Sequence, residues 1–359
     1  MPRLLLALLA CLFVSLPAFA AEPISKFEPD GTKGVSADFQ RWHSEFEDVG
    51  DYGESWFFVS RCEDGSTLFT MLSITNLGLS TFAASVDLQF YAMDGRKWNL
   101  HHEYDRDDIT AATDRMDITV GPAHVWGGGD AYHVTINESD VQLDFHLNNE
   151  LPSYKFGSGK VLFYEDQSAE YTLGISAPRA RASGTITLGG ERFDLTGHGY
   201  HDHGWSTIKM PSFIREWYAI RMFDEKYTLV LHRQFLQPKF GGENNFGLLG
   251  VDGQIVGTTR NFWLNPTARR QEAGHSLPTE LAVLINTSGY KVEGTITELR
   301  YQESIDVLGR ISFPVRMAIK AFYTNPYFLR YMGQCEFDVT KDGVTEHVSH
   351  ECLVEIDYY

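Results

Sequence analysis

VQLDFHL, residues 141–147, sets the fold class. Val141, Leu143, Phe145 and Leu147 alternate with Gln142, Asp144 and His146, the period of two that a strand shows when one face is buried and the other is wet. Val86, Leu88 and Phe90 repeat the pattern, and Val344, Val348, Cys352 and Val354 follow it with gaps. Asp-Gly pairs at 64–65, 94–95, 252–253 and 342–343, and Gly189-Gly190, each lie between apolar runs. Such pairs take the positive φ that tight hairpin turns demand. Long helical periodicity is scarce. The pattern predicts an all-β, antiparallel chain of many strands joined by short turns, the construction of barrels and sandwiches.

The ends of the chain carry different information. Arg3 is followed by an apolar run from Leu4 to Val14 and then by Ala18-Phe19-Ala20, the small-x-small form of a signal-peptidase site. Residues 1–20 are therefore expected to be a signal peptide, and the protein periplasmic or secreted; the apolar run is short for a membrane span. Removing Arg3 leaves 29 basic against 48 acidic residues, a formal net charge of −19. Nucleic acid, which needs basic patches, is not an expected partner. A mature chain of this length predicts two domains. Of the cysteines left, Cys62, Cys335 and Cys352, the favoured disulfide is Cys335–Cys352, across one hairpin but about two residues out of opposition. No CxxC motif occurs.

One segment breaks the acidic trend. From Val307 to Cys335 there is no acidic residue, while Arg310, Arg316, Lys320 and Arg330 stand among eight aromatic and methionine side chains. It reads either as a surface in transient contact with anionic lipid, or a lid, or as a connection that covers one barrel with its charges in water.

GHGYHDHGWS, residues 197–206, holds the densest chemistry in the chain. In an extended strand His201 and His203 share one face, and Tyr200 and Asp202 the other. That separation works against a metal site made of His198, His201, His203 and Asp202, and no HExxH or Asp-rich calcium loop occurs. Ser206 lies near the histidines, but no G-x-S-x-G elbow surrounds it. Acid/base chemistry fits better. A carboxylic acid kept protonated by apolar surroundings can give its proton to an alkene or a carbonyl. Against this stands the plain structural reading, in which Asp202 caps a turn and the histidines satisfy backbone groups at a domain junction.

These residues also carry a resemblance. GHGYHDHGWS resembles the Asp-His-x-Trp signature of the CrtC/AttH lipocalin-like family, which includes the carotenoid 1,2-hydratases. GESWFFVSRCEDGSTLF (53–69), ARASGTITLGG (180–190) and REWYAIRMFDEKYTLVLHRQF (215–235) are similar to the family's opening strand pair, its Arg-rich strand and the strand pair that begins its second half. Eukaryotic survival-factor proteins share this layout. The resemblance implies two tandem lipocalin-like antiparallel β-barrels, residues 21–205 ending in the motif and residues 206–359, with a ligand cavity near their junction. It puts the family's aspartate, histidine and tryptophan on Asp202, His203 and Trp205. Where the hydratases usually carry Asn or Gln, and then Gly, this chain has Gly204 and Ser206.

Two functions stay open. In one, Asp202 is the general acid of a hydro-lyase or cyclase, with His201 or His203 orienting it or handling water. In the other, the protein carries a hydrophobic small molecule without altering it. Tyr200, Trp205, Trp56, Trp217, Tyr218, Arg221 and His232 are the expected ligand contacts. The strand alternation leaves His232 either in the pocket or in solvent. No metal and no cofactor is expected.

Overall fold

The computed structural model describes residues 24–27, 32–76, 82–272, 275–306 and 327–359. The expected signal peptide lies outside them, as do residues 307–326 of the basic aromatic segment. Among the described residues, no helix is long and apolar enough to cross a membrane.

The described residues form two large antiparallel β-sheets, as the alternation predicted, arranged as tandem lipocalin-like barrels, and a two-stranded ribbon of Thr32–Lys33 with Lys155–Phe156. In the first sheet the strands Lys97–Tyr104, Ala83–Tyr91, Thr67–Thr75 and Gly53–Cys62 lead to the motif strand Gly197–Ser206. Beyond it lie Ala169–Leu188, Val141–Asn149, Ala131–Asn137 and three short strands ending at Ile109–Ala111. The second sheet begins at Ile214–Phe223, which pairs with Tyr227–Leu236 on one side and the C-terminal strand Val344–Tyr358 on the other. A single turn of helix, Met210–Phe213, joins the sheets.

The turns form where the glycines predicted them. Asp252-Gly253, Asp342-Gly343 and Gly189-Gly190 have positive φ at both positions, as a two-residue turn matched to strand twist requires. Leu143, Phe145 and Leu147 are fully buried, as their alternation implied. The 20-residue strand Ala169–Leu188 bends at irregularities on either side of Ala177. Pro178 sits there, where a residue without an N–H is tolerated.

Alternation along each strand divides the core into three. One apolar cluster fills the first barrel, around Trp56, Phe58, Phe145 and Trp205. A second fills the other barrel, around Tyr218, Leu229, Tyr331 and Ile356. The third is a seam between them, and both sheets contribute to it: Phe57, Tyr171 and Tyr200 from the first, Val230, Phe246 and Leu353 from the second.

One expectation fails. Cys62, Cys335 and Cys352 are all buried free thiols. Cys335 lies opposite His350, and Cys352 opposite Gly333, so the favoured disulfide pair is two residues out of register and unbonded.

Candidate functional site in the seam between the barrels

The motif strand runs straight through the junction, and its two faces serve different barrels. Tyr200 and Asp202 point into the seam, while His201, His203 and Trp205 point into the first barrel. The glycines make this possible. A Cβ on Gly204 would lie 2.6 Å from the Thr172 carbonyl oxygen, and one on Gly199 would lie 2.4 Å from Leu147. A residue with a side chain at 204 would force the neighbouring backbone away.

In the seam the Tyr200 hydroxyl lies 2.7 Å from Asp202 Oδ2 and 3.0 Å from His232 Nε2. Trp217 Nε1 donates to His232 Nδ1 at 3.1 Å. An indole N–H can only donate, so Nδ1 is the acceptor and the neutral ring carries its proton on Nε2. The chain of donors therefore runs from His232 Nε2–H to the Tyr200 oxygen, and from the Tyr200 O–H to Asp202. Electrostatics agree with a neutral ring: burial, aided by the Arg221 charge, pushes His232 well below its ordinary range. Burial also pushes the Asp202 carboxyl up to about 6, against the opposing pull of Arg221 and the Tyr200 hydrogen bond.

Arg221 completes the group. Its guanidinium lies over Tyr200 at 4.3 Å and Phe57 at 5.1 Å, and 3.9 Å from both Asp202 Oδ2 and Glu355 Oε1. Those contacts are too long for hydrogen bonds. Nε and Nη1 of Arg221 are buried with no hydrogen-bond partner among the described residues. Glu355 is held from the other side by Arg330 Nε at 2.6 Å, and Arg330 Nη1 donates to Gln89 at 2.6 Å. Arg330, Gln89 and Phe57 line a cleft of about 800 Å³ between the barrels, which also takes in Met71, Ile305 and Phe328. Arg330, Glu355 and Arg221 thus link the wall of that cleft to Asp202, which, like Arg221, does not itself line it.

The expected contact residues divide among three environments. Asp202, Tyr200, Trp217, Arg221 and His232 meet in the seam. His201, His203, Trp205 and Trp56 lie inside the first barrel. There Phe58 stacks on His201, whose Nδ1 is 2.9 Å from the Phe57 carbonyl, and burial pushes that ring down to about 3. Tyr218 lies inside the second barrel and donates to Glu216 at 2.9 Å. His198 accepts a hydrogen bond from Arg179 at 2.9 Å, and Ser206 Oγ donates to the Ile208 carbonyl at 2.6 Å as part of the turn out of the strand. The three motif histidines do not converge on one point. His203 Nε2 instead meets Glu54 at 2.7 Å, and Glu54 meets His43 Nδ1 at 2.8 Å.

Sequence reasoning missed Glu355, Arg330 and Gln89 in the seam, and His43 and Glu54 in the barrel. Their one local sign was alternation: Glu54 and Glu355 occupy buried positions of their strands.

Comparison with known proteins agrees with this architecture. The AttH-like family profile matches residues 89–312. The ceramide-binding protein svf1 of Aspergillus fumigatus is 21% identical over 243 residues, 64% of this chain and 60% of the relative. The chain thus spans about 60% of the length of that curated relative. Among solved structures, CghA with Sch210972 superposes with a TM-score of 0.61 at 12% identity, over 94% of this chain and 96% of that one. An AttH protein of Nitrosomonas europaea superposes with a TM-score of 0.61 at 14% identity, over 93% and 98%. Kievitone hydratase of Nectria haematococca gives 0.55 at 14% identity, over 92% and 98%. At these identities the likeness is one of fold.

Proposed function

Because this chain belongs to the AttH-like family, we propose that it binds an apolar molecule bearing an oxygen function in the cleft between its barrels, with Asp202 as the acid/base group beneath it. The observation that carries this reading is Arg221: a buried guanidinium with two unmatched donors. Burying such donors costs about 1–3 kcal/mol each unless an acceptor arrives, and a ligand oxygen would supply one. Beside it, Tyr200 and His232 orient the Asp202 carboxyl and offer it a path for a proton. One part of the cleft wall, Phe57, Met71, Ile305 and Phe328, suits an apolar body, and another part, with Asp87, Gln89, His101 and Glu103, suits its oxygen function. The ceramide named for one relative and the hydratase named among the structural neighbours are molecules and chemistry of this general kind. The chain is also proposed to be exported, on the leader read at residues 1–20; Edman sequencing of envelope-purified protein should then begin at Ala21.

The test is native mass spectrometry with organic extraction of protein purified from its own cell envelope, for the wild type and Asp202→Asn. A co-purifying apolar molecule that is altered in the wild type and unaltered in the variant assigns the chemistry to Asp202. The same molecule in both makes the protein a carrier, the reading that the ceramide-binding relative favours. No bound molecule in either, with none taken up on incubation with lipid extract, overturns the proposal.

A further inference from the structure

The inner face of the motif strand carries a cluster that the seam does not use. His43 follows the short helix Ala37–Gln40, Glu54 is the second residue of the strand Gly53–Cys62, and His203 belongs to the motif strand. Glu54 and His203 have no exposed side-chain surface, and His43 has 6%. His43 Nδ1, one Glu54 carboxylate oxygen and His203 Nε2 all lie within 4.8 Å of one another. The geometry points to a buried site for a divalent transition-metal ion, zinc by its donor set, held by His43, Glu54 and His203 inside the first barrel.

Four observations support it. The donor set, two imidazoles and a carboxylate, is one that zinc takes. The rings are held in place by packing: Trp56 stacks on His203 at 4.8 Å and 8°, and Trp205 on His43 at 3.8 Å and 27°. The second carboxylate oxygen of Glu54 is held by the Tyr52 hydroxyl and by the His43 backbone N–H at 3.0 Å, the outer support that ligating carboxylates usually have.

The last observation concerns protons. Without an ion, His43 Nδ1–H and His203 Nε2–H must both donate to Glu54 Oε1, and the lone pair on His203 Nδ1 is then buried without a partner among the described residues. With an ion on Nε2, the proton moves to Nδ1 of the same ring and that unpaired lone pair is removed. The ion would tie the segment before residue 53 to two strands of the barrel. This departs from the expectation that the chain holds no metal.

The experiment uses tag-free full-length protein purified without chelator. Elemental analysis is expected to find about one zinc per chain. Stripping with a strong chelator should lower the melting temperature by several degrees, and zinc should restore it. Cobalt added to the stripped protein should give the visible absorption bands of a low-coordinate site. Glu54→Gln, which keeps size and hydrogen bonding, should lose the ion and the zinc-dependent rise while remaining folded by circular dichroism. Substoichiometric metal with melting unchanged by stripping or by zinc overturns the proposal. So does a stoichiometric ion retained by both Glu54→Gln and His43→Asn, which would lie elsewhere. If Glu54→Gln does not fold, His43→Asn, at the cluster's edge, decides between the outcomes.

Discussion

Trp217 settles a tautomer in the seam, and the rest of the proton path follows from it. Because its N–H occupies His232 Nδ1, the buried ring stays neutral and donates towards Tyr200. The ordinary value for His232 is 6.5, and its folded value lies well below that. The unfolded chain therefore binds a proton that the folded chain does not, and stability falls as pH drops below about 6.5. From this ring the slope is at most ~1.4 kcal/mol per pH unit. Urea unfolding of His232→Gln, whose amide can copy the neutral ring's acceptor and donor, should show a shallower loss between pH 7 and pH 5 than the wild type. Equal slopes would mean that the ring is already charged. Arg221 gives the second prediction at this scale. Arg221→Lys keeps the charge between Asp202 and Glu355 but removes the planar fork. Affinity for the co-purifying molecule should fall about ten- to a hundredfold, the worth of one or two charged hydrogen bonds. Unfolding free energy should not fall by more than ~1 kcal/mol, since among the described residues Nε and Nη1 have no hydrogen bond to lose. Titration of stripped protein with the extracted molecule measures the first, and urea unfolding the second.

At the scale of the element, the motif strand works as a partition. It hydrogen-bonds along its length to Gly53–Cys62 on one side and Ala169–Leu188 on the other. Its odd-numbered positions from 201 to 205 and its even-numbered positions from 198 to 202 serve different compartments. Gly204→Ala should destabilise the protein by about 1–3 kcal/mol, because its Cβ meets backbone rather than a movable side chain. Denaturant unfolding checks this, and a neutral result would mean that the strand pair shifts freely. The assignment of Asp202 and His203 to opposite faces was legible in the sequence, since it needs nothing beyond the period of two. The seam placement of His232 was not. The same alternation put it opposite Tyr227, Leu229 and Leu231, but whether that face met solvent or a second sheet depended on a docking that the strand itself does not encode.

At the scale of the whole molecule, the contacts across the seam predict that the two sheets fold as one unit. The seam's apolar cluster draws on both, and side chains bond across it: Tyr91 to Glu303 at 2.7 Å, Gln302 to Thr67 at 2.9 Å, Gln234 to Tyr171 at 2.9 Å. Each barrel alone would expose that surface, and large exposed apolar patches associate. Separate expression of residues 21–207 and 208–359 should give aggregated protein, while co-expression should give a soluble pair, read by size-exclusion chromatography. Two soluble, monomeric halves would refute this.

The sequence alone determined the strand class, the hairpins at the Asp-Gly and Gly-Gly turns, the partition of the motif strand and the family resemblance. All of these rest on local period, local φ preference or a contiguous motif. Only the tertiary structure brought Arg221, Glu355, Arg330 and Gln89 to Asp202, and His43 and Glu54 to His203. These partners lie 11 to 241 residues apart along the chain. The two-residue offset of Cys335 and Cys352 was legible in the hairpin and is found in the structure, where both thiols are free. Side-chain periodicity states which face a residue takes, and the docking of one sheet on another decides what that face meets.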